Sequence, residues 1–321
     1  MSQRSYFVTG AMGCIGAWTL YHLVRRGERV VSYDISADRS RLDLLLTEAE
    51  QVGVTFVRGD LTCREQVQEA MQRYGASHVI HLAALQVPFC RANPVLGAQV
   101  NVVGTLNVFE AAREAGIRHV VYASSIAVYG PPQIYPDGLI AHDAPLSPDT
   151  LYGGFKQCNE QNARVYFTDY GVSSTALRPY VVYGVGRDQG MTSDPTKAML
   201  AAAAGEDYHI GFGGVSQLQF ASDVAQQFIE AADHPLQGAH VFNLGGEPVD
   251  MQVVADAIRA AAPGVNITFE PKALPFPMGF DDAQLRQHMG RVYETPLSDG
   301  IQQTVEWFRT CLAEGRLRYP V

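Results

Sequence analysis

Tyr152 and Lys156 are spaced so that a phenol and an ammonium group would lie one above the other on a helix. A free tyrosine has a pKa near 10 and is a poor base at neutral pH. A neighbouring cation favours the phenolate and lowers that pKa, so Tyr152 could take a proton from an alcohol while hydride leaves the same carbon. Surface pairs on solvated helices have the same spacing, so the pair alone does not decide the chemistry.

Ser124 and Ser125 follow the apolar residues 121–123 and would lie at the carboxyl end of a strand. A serine hydroxyl at that position could hold the substrate oxygen beside Tyr152. Turn formation or strand capping is the alternative role for both serines. We predict Ser125, Tyr152 and Lys156 as the catalytic residues.

Residues 8–16 contain three glycines between an apolar run and a helical stretch. A strand that enters a glycine turn and then a helix presents unpaired N–H groups and the positive end of a helix dipole, which suits a pyrophosphate. Gly10 would allow the tight turn, Gly13 the approach of phosphates, and Gly16 the packing of helix on strand. An ordinary strand–helix turn would explain the glycines if they stood alone.

Asp34 ends the next apolar run, about 20 residues after the glycines, where a carboxylate can accept hydrogen bonds from an adenosine ribose. A carboxylate there also repels a 2′-phosphate, so Asp34 predicts NAD as the cofactor. Arg39 and Arg41 follow closely and keep NADP as an alternative.

Strand-like runs alternate with amphipathic stretches through the first half of the chain. This alternation predicts an α/β protein with a doubly wound parallel Rossmann sheet, helices on both faces and ligands at the carboxyl ends of the strands. Gly75, Gly116 and Gly171 each follow a helical pattern, as C-terminal cap glycines do. The predicted strands are 4–9, 29–33, 53–57, 77–82, 118–123 and 173–178, and the predicted helices are 14–26, 40–51, 63–74, 94–115 and 152–169.

After Gly184 the pattern loosens. We predict residues 1–184 as an NAD-binding Rossmann domain with the catalytic Ser, Tyr and Lys, and 185–321 as a smaller C-terminal substrate-binding lobe interleaved with late elements of the main sheet. The later elements are a loop at 185–195, a helix from Thr196, strands near 208–211, 217–220 and 239–243, and helices from 222, at 251–262 and at 298–313.

Composition narrows the partners and the compartment. The 321 residues include 24 Lys and Arg against 33 Asp and Glu, a net charge of −9 that argues against a nucleic-acid partner. No apolar run approaches the ~20 residues that cross a bilayer, and no signal sequence precedes the first strand, so no membrane partner is expected. The five scattered cysteines predict reduced thiols, a cytoplasmic protein and no metal site.

Further motifs occur in a fixed order along the chain. They are 9–16, Asp34, 59–61, 81–84, 101–105, Ser125, Tyr152 with Lys156, and 177–179. This series resembles the extended short-chain dehydrogenases/reductases, among them the NAD-dependent sugar epimerase/dehydratase group typified by UDP-galactose 4-epimerase. The resemblance covers nearly the whole chain, strongly over 4–184.

The resemblance implies an NAD site in which Asp60 accepts from the adenine amino group and Lys156 holds the nicotinamide ribose. Asn101 would hold the end of the sheet near the active site, while His81 is expected to be a structural histidine. The cofactor-binding residues that it implies are Gly10, Gly13, Cys14, Ile15, Gly16, Asp34, Asp60, Leu61, Leu82, Ala83, Ala84, Asn101, Tyr152, Lys156 and Pro179.

Departures from the family pattern concern the substrate. Sugar-nucleotide enzymes of this family usually carry an Asn where Val181 stands, and an Arg shortly before an F-x-x-x-D-V-A-type segment, a region that here reads 214–225 without Arg or Lys. Each charge-assisted hydrogen bond lost to a diphosphate is worth roughly 1.5–3 kcal/mol, so both absences disfavour a nucleotide sugar. Ile126 and Ala127 replace the Asp-Glu pair of the 4,6-dehydratases, which disfavours that reaction.

We therefore predict an NAD-dependent oxidoreductase that transfers hydride at a secondary alcohol of a small carbohydrate-like substrate, namely a sugar, sugar acid or polyol. An NAD-dependent sugar or nucleotide-sugar epimerase with a transient ketone is the alternative, and a non-catalytic NAD-sensing protein is a third class. Arg187 could clamp a carboxylate or phosphate. The predicted substrate-binding residues are Gln86, Ser124, Ser125, Tyr180 and Arg187.

The helices predicted at 94–115 and 152–169 carry apolar residues on more than one face. A helix buried only against its own sheet needs a single apolar stripe, so the extra faces imply a second partner. Family members pair these two helices across a two-fold axis, and we predict a homodimer. Cover by the C-terminal lobe of the same chain is the alternative.

Overall fold

A seven-stranded sheet forms the centre of the protein, whose computed structural model describes residues 4–319. The strands of the whole chain are β1 (Ser5–Thr9), β2 (Arg29–Asp34), β3 (Val54–Arg58), β4 (His78–His81), β5 (His119–Ala123), β6 (Ser173–Arg178), β7 (Val181–Tyr183), β8 (Tyr208–Ile210), β9 (Val215–Phe220), β10 (Ala239–Asn243), β11 (Pro248–Asp250) and β12 (Ile267–Phe269). The large sheet has the order β3-β2-β1-β4-β5-β6-β10, and every neighbouring pair runs parallel. The predicted Rossmann-type α/β fold is confirmed.

Thirteen α-helices occur within the described residues, and the longest is the 20-residue helix that carries Tyr152 and Lys156. The helices are α1 (Cys14–Arg25), α2 (Ser40–Asp43), α3 (Glu48–Gln51), α4 (Arg64–Arg73), α5 (Val87–Ala92), α6 (Pro94–Ala98), α7 (Gly104–Glu114), α8 (Leu151–Tyr170), α9 (Asp194–Ala203), α10 (Ala221–Asp233), α11 (Met251–Ala261), α12 (Ala283–His288) and α13 (Leu297–Ala313). A π-helical turn, Gln99–Val103, joins α6 to α7. None of the helices in residues 4–319 is long and apolar enough to cross a membrane.

The helices cover both faces of the large sheet. Helices α1 and α10 pack together on one face, while α4, α7 and α8 form the layer on the other. Alternating side chains of each strand enter the two cores, as Tyr6 and Val8 do on one side and Phe7 on the other. This burial on both faces explains why the central strands read as continuous apolar runs.

One predicted helix is wrong. The stretch 40–51 forms two single turns, α2 and α3, because Thr47 begins a new helix through a capping box with Glu50. Leu44, Leu45 and Leu46 lie buried between the two turns. The helix-like spacing of apolar residues in 40–51 therefore came from leucines that lie in a turn and pack into the core.

The second half of the chain contributes to both parts of the structure. Strand β10 pairs with β6 at the edge of the large sheet, and α10 packs against α1. The remaining residues form a three-stranded sheet, β11-β9-β7, and a two-stranded sheet, β12-β8, with α9, α11 and α13 beside them. Strands β7, β11 and β12 and helices α5 and α12 had no sequence signal strong enough to predict them.

Candidate active site

The glycine-rich turn between β1 and α1 leaves no room for side chains at two of its glycines. Gly10 has φ +67°, and a Cβ there would approach the backbone N of Ala83 to 2.5 Å. A Cβ on Gly16 would clash with the carbonyl oxygen of Gly10. At Gly13 a Cβ would meet only that same carbonyl, at 3.2 Å, and would otherwise project into open space. The amino end of α1 therefore faces a cleft over a bare backbone.

Asp34 stands at the carboxyl end of β2 beside this turn. Its Oδ2 accepts from the Met12 N–H at 2.9 Å, and its Oδ1 accepts from the Ser36 N–H at 2.9 Å. Asp60 follows β3, and its Oδ1 accepts two hydrogen bonds of 2.8 Å from Thr62. The two carboxylates thus line one end of the cleft in defined orientations.

The cleft encloses about 460 Å³. It brings together eleven of the residues predicted to bind the cofactor, namely Gly10, Gly13, Cys14, Ile15, Gly16, Asp34, Asp60, Leu61, Leu82, Ala83 and Ala84. Tyr152, Lys156 and Pro179 line an adjoining cavity of about 200 Å³ that shares Cys14, Ile15, Leu82 and Ala84 with the cleft. The two cavities meet where β4 and β5 end.

Asn101 lies behind the cleft and lines neither cavity. Its side-chain amide accepts from the Leu85 N–H at 2.7 Å and donates to the Leu85 carbonyl at 2.9 Å. The residue is 1% exposed within the π-helical turn, so it fixes the chain that leaves β4. Cys90 is also buried, and its thiol donates to the same carbonyl at 3.2 Å.

His81 is a buried structural group. Its Nδ1 lies 2.7 Å from Thr9 Oγ1 and its Nε2 lies 3.0 Å from Thr105 Oγ1. Burial, and secondarily the charge of Lys156, lowers the His81 pKa to about 3. The neutral imidazole uses both ring nitrogens to connect β1 to α7. This position agrees with the structural role expected from the sequence.

Helix α8 brings Tyr152 to Ser125. Thr150 caps the helix by accepting from the Gly153 N–H at 3.1 Å, and a Cβ on Gly153 would clash with the carbonyl of Ala127. This close approach presses the first turn of α8 against the segment that follows β5. Ser125 and Tyr152 both line the smaller cavity, and the Ser125 side chain interacts with the Tyr152 phenol and lowers its pKa.

The pKa of Tyr152 differs from the expectation. Burial raises it to about 12, against smaller lowering effects from the Ser125 hydrogen bond and the charge of Arg187. Lys156 has its Nζ 5.7 Å from the Tyr152 ring centroid and donates to the Ala123 carbonyl at 2.6 Å. Burial therefore outweighs the lowering effects on the Tyr152 pKa in this structure, and the cation that acts on the phenol is Arg187 rather than the expected Lys156.

Burial lowers the pKa of Lys156 to about 8. The side chain is 3% exposed, and its bond to the Ala123 carbonyl fixes the ammonium beside the end of β5. At neutral pH the group is still mainly a cation, so Tyr152 and a positive charge face the same cavity.

A buried ion pair lies directly behind the two serines. Glu160, on α8, and Arg178, at the end of β6, are 1% and 3% exposed. Arg178 donates Nε–H and Nη2–H to the two Glu160 oxygens at 2.8 and 2.7 Å. Ser124 donates to Glu160 Oε1 at 2.5 Å, and Arg178 Nη1 donates to the Tyr129 hydroxyl at 2.6 Å. The pair joins α8, β5 and β6 at one point.

The predicted substrate residues all line the smaller cavity, but their hydrogen bonds differ. The Ser124 proton is committed to Glu160, which makes Ser124 part of the wall. Tyr180 is 8% exposed and donates to the Pro277 carbonyl at 2.9 Å. Gln86 and Arg187 line both cavities, and the Gln86 Oε1 and Arg187 Nη2 atoms both lie beside Gly190.

Arg187 carries a charge that faces the cavities. Its Nη2 donates to Thr192 Oγ1 at 3.2 Å, while its Nε is buried without a partner among the described residues. Arg187 lines the smaller cavity together with Tyr152 and Cys14, and its charge acts to lower the pKa of both side chains.

Strand β9 supplies no cation to this region. Gln217 donates to the carbonyls of Gly246 and Phe280 at 2.8 and 3.1 Å, and Gln219 donates to the Leu244 carbonyl at 2.6 Å. Both glutamines are buried and tie backbone segments together. Val181 is fully buried in β7.

Comparison with known proteins identifies the family. A sequence model described as the NAD dependent epimerase/dehydratase family matches residues 6–245. The chain belongs to this family, and the enzyme is NAD-dependent. A UDP-glucose 4-epimerase of Mycolicibacterium smegmatis is 30% identical, over 94% of this chain and 97% of that protein.

Solved structures of two enzymes superimpose on nearly the whole chain. A Thermus thermophilus UDP-glucose 4-epimerase in complex with NAD has 28% identity and a TM-score of 0.80, covering 95% of this chain and 99% of that chain. An L-threonine dehydrogenase of Cupriavidus necator has 25% identity and a TM-score of 0.81, covering 96% and 99%. The shared fold thus occurs in enzymes with different substrates.

The cleft fits the family's cofactor. The bare backbone at Gly13, the amino end of α1 and the carboxylate of Asp34 supply donors for a pyrophosphate and acceptors for a ribose in one cavity. Arg39 and Arg41 were the residues that left NADP as an alternative cofactor. Arg39 stacks on Phe56, with its Cζ 3.8 Å from the ring centroid, and Arg41 Nη2 pairs with Asp188 Oδ1 at 2.8 Å.

Sequence reasoning missed Met191 and Phe276, which line the smaller cavity. Each comes from a loop or a short turn without a motif. The Glu160–Arg178 pair had one available signal, since Glu160 follows Tyr152 and Lys156 at successive intervals of four on one helix face.

Removing one partner of the buried pair should be strongly destabilising. Glu160→Ala leaves the Arg178 charge uncompensated and should lower the free energy of unfolding by about 3–5 kcal/mol. Glu114→Ala, which removes an exposed partner of Arg64, is the control and should cost about 1 kcal/mol or less. Urea unfolding measures both, and equal losses in the two variants would contradict the role assigned to the pair.

Proposed function

We propose that this enzyme is an NAD-dependent oxidoreductase that acts on a secondary alcohol of a small substrate without a nucleotide, in the class of sugars, sugar acids and polyols. The observation that supports this most directly is the charge around the smaller cavity. Among its described lining residues, Lys156 and Arg187 are the cations, and Lys156 is bound to the Ala123 carbonyl. A diphosphate would meet a single available guanidinium there.

The roles of the catalytic residues follow from their positions. When bound, NAD⁺ supplies the hydride acceptor. We assign Tyr152 to proton transfer at the substrate oxygen, Ser125 to a hydrogen bond with that oxygen, and Lys156 to holding the nicotinamide ribose. With a pKa of about 12, the Tyr152 phenol is protonated at neutral pH and ready to protonate a carbonyl oxygen. Alcohol oxidation needs the phenolate and should become faster as pH rises.

An epimerase that uses the same residues is the second candidate, and the similarity to UDP-glucose 4-epimerases favours it. Such an enzyme returns the hydride to the other face of a ketone, so the cofactor ends the cycle in its starting form. The residues discussed above serve either reaction. Cofactor retention and substrate decide between them.

The division of labour along the chain is part of the proposal. Residues 1–184 would bind NAD and supply the catalytic side chains, and 185–321 would form the substrate-binding lobe while returning β10 to the main sheet. Arg187, Met191, Thr192 and Phe276 support this division because they reach the smaller cavity from the second half. Five cysteines without a disulfide among the described residues support a cytoplasmic location.

Incubation of the protein with NAD⁺ and a panel of sugars, sugar acids, polyols and UDP-sugars tests the reaction class. We expect NADH to accumulate with a substrate that lacks a nucleotide. Isomer interconversion without NADH would establish the epimerase instead. Neither product with any compound would favour the NAD-sensing class and contradict the proposal.

Tyr152→Phe should reduce the rate by about 10²–10⁴, because the variant loses the group that transfers the proton. NAD⁺ affinity, measured by calorimetry, should stay nearly unchanged. Tyr170→Phe removes an exposed hydroxyl from the other end of α8 and serves as the control. A Tyr152→Phe enzyme that retains most of its activity would contradict the assignment.

Arg187 is proposed to hold an anionic group of the substrate. Arg187→Gln should raise KM for an acidic substrate by about 10–100-fold, because a charge-assisted bond is worth roughly 1.5–3 kcal/mol. KM for a neutral sugar should change much less. Lys197→Gln, in a partly exposed residue that pairs with Asp194 at 3.7 Å, is the control. Equal effects of Arg187→Gln on both substrates would exclude the anion contact.

A homodimer through α6, α7 and α8 is proposed from an exposed apolar surface. Val95, Val103, Leu151 and Val165 are 69%, 44%, 49% and 53% exposed. Leu151 and Val165 are fourteen residues apart and therefore share one face of α8. Within the described part of the chain, the second half does not cover these side chains.

Light scattering should give a mass of twice 35.0 kDa at micromolar concentration. Val165→Glu places a charge in the surface and should produce monomers, whereas Val52→Glu, at an 85% exposed site elsewhere, should not. A wild-type mass of 35.0 kDa, unchanged by NAD, would rule out the dimer.

A further inference from the structure

Arg41 lies close to the carboxylate that would receive the adenosine ribose. Its Nη1 donates to the Met12 carbonyl at 3.0 Å, and the N–H of the same residue donates to Asp34 Oδ2 at 2.9 Å. One residue of the glycine-rich turn therefore holds both side chains. Asp34 and Arg41 line the same cleft.

A guanidinium at this position is the side chain that suits a 2′-phosphate. Arginine binds phosphate through paired N–H donors, and an Arg near the ribose is how Rossmann proteins accommodate NADP. Asp34 opposes such a phosphate by repulsion, but a free Arg41 beside it would attract one. One end of the cleft thus contains a carboxylate that repels a 2′-phosphate and a guanidinium that could attract one.

Asp188 pairs with Arg41 and so removes its attraction for a 2′-phosphate. Arg41 Nε donates to the two Asp188 oxygens at 3.0 and 3.1 Å, and Nη2 donates to Oδ1 at 2.8 Å. One N–H of the remaining nitrogen, Nη1, donates to the Met12 carbonyl. The guanidinium that lines the cleft is consequently neutralised by a carboxylate and has its paired donors engaged.

The neighbouring cation is engaged as well. The guanidinium of Arg39 stacks on Phe56, with its centre 3.8 Å from the ring centroid. The planar face of the Arg39 guanidinium is therefore packed against the aromatic ring of Phe56 in β3. Arg41 is the cation of this segment that lines the cleft.

We propose that Asp188 is a cofactor-selectivity residue, which keeps the enzyme selective for NAD by neutralising Arg41 from across the cleft. Asp188 belongs to the loop after β7, 147 positions from Arg41, and reaches the cofactor cleft beside Gly186 and Arg187. Asp34 repels the 2′-phosphate directly, and Asp188 withholds the arginine that would bind it. NADP binding must either break the Arg41–Asp188 pair or bring a phosphate to two carboxylates.

The test compares NAD⁺ and NADP⁺ dissociation constants, measured by calorimetry, in the wild type and in Asp188→Asn, Arg41→Gln and the double variant. Asp188→Asn keeps the shape and an acceptor oxygen but removes the charge. We expect NADP⁺ to bind this variant about tenfold more tightly than the wild type, with NAD⁺ changed less than about threefold. The double variant should lose the gain, because Arg41 provides it.

Asp256→Asn is the matched control, since Asp256 pairs with Arg259 on the exposed face of α11. It should leave both affinities unchanged. An unchanged NADP⁺ affinity in Asp188→Asn, a gain that persists in the double variant, or an equal gain in Asp256→Asn would each overturn the proposal. Asp188 is half exposed, and melting temperatures check that every variant is folded. The binding measurement uses no substrate, so its outcome is independent of the reaction class proposed above.

Discussion

The Glu160–Arg178 ion pair is the constraint on which the active site depends. Taking two charges out of water costs several kcal/mol per ion, and the cost is offset only when every donor and acceptor is satisfied. Here the carboxylate receives two bonds from Arg178 and one from Ser124, and Arg178 also donates to Tyr129. These bonds have a narrow range of acceptable geometry. They therefore set the relative positions of α8 and the ends of β5 and β6.

The catalytic residues inherit their positions from this arrangement. Tyr152, Lys156 and Glu160 lie on one face of α8, so fixing Glu160 fixes the rotation of the helix about its axis. Ser124 joins the pair directly, which holds Ser125 next to it at the end of β5. The glycine at 153 then lets the first turn of α8 approach the Ala127 carbonyl closely, which brings Tyr152 and Ser125 to the same cavity.

The features that could be predicted from the sequence are local. The six strands β1 to β6, the glycine turn and the cap glycines follow from patterns a few residues long, and Gly75, Gly116 and Gly171 have the expected φ of +61°, +76° and +66°. The break between α2 and α3 was missed because buried leucines in a turn imitate a helical stripe. The raised pKa of Tyr152 was missed because burial depends on the whole fold. The Arg41–Asp188 contact was missed because 147 positions separate its partners.

The central claim is that the site formed by Ser125, Tyr152 and Lys156 catalyses hydride transfer. The most direct test of it is to follow deuterium from the substrate to the cofactor. A compound accepted by the enzyme is deuterated at the carbon that bears the reacting hydroxyl and is incubated with NAD⁺, and mass spectrometry follows the label. For a dehydrogenase we predict one deuterium on the nicotinamide ring of the reduced cofactor. For an epimerase we predict that the isomerised product retains the label. Loss of the deuterium to solvent would contradict the account, because it would mean that the carbon is deprotonated and no hydride is transferred.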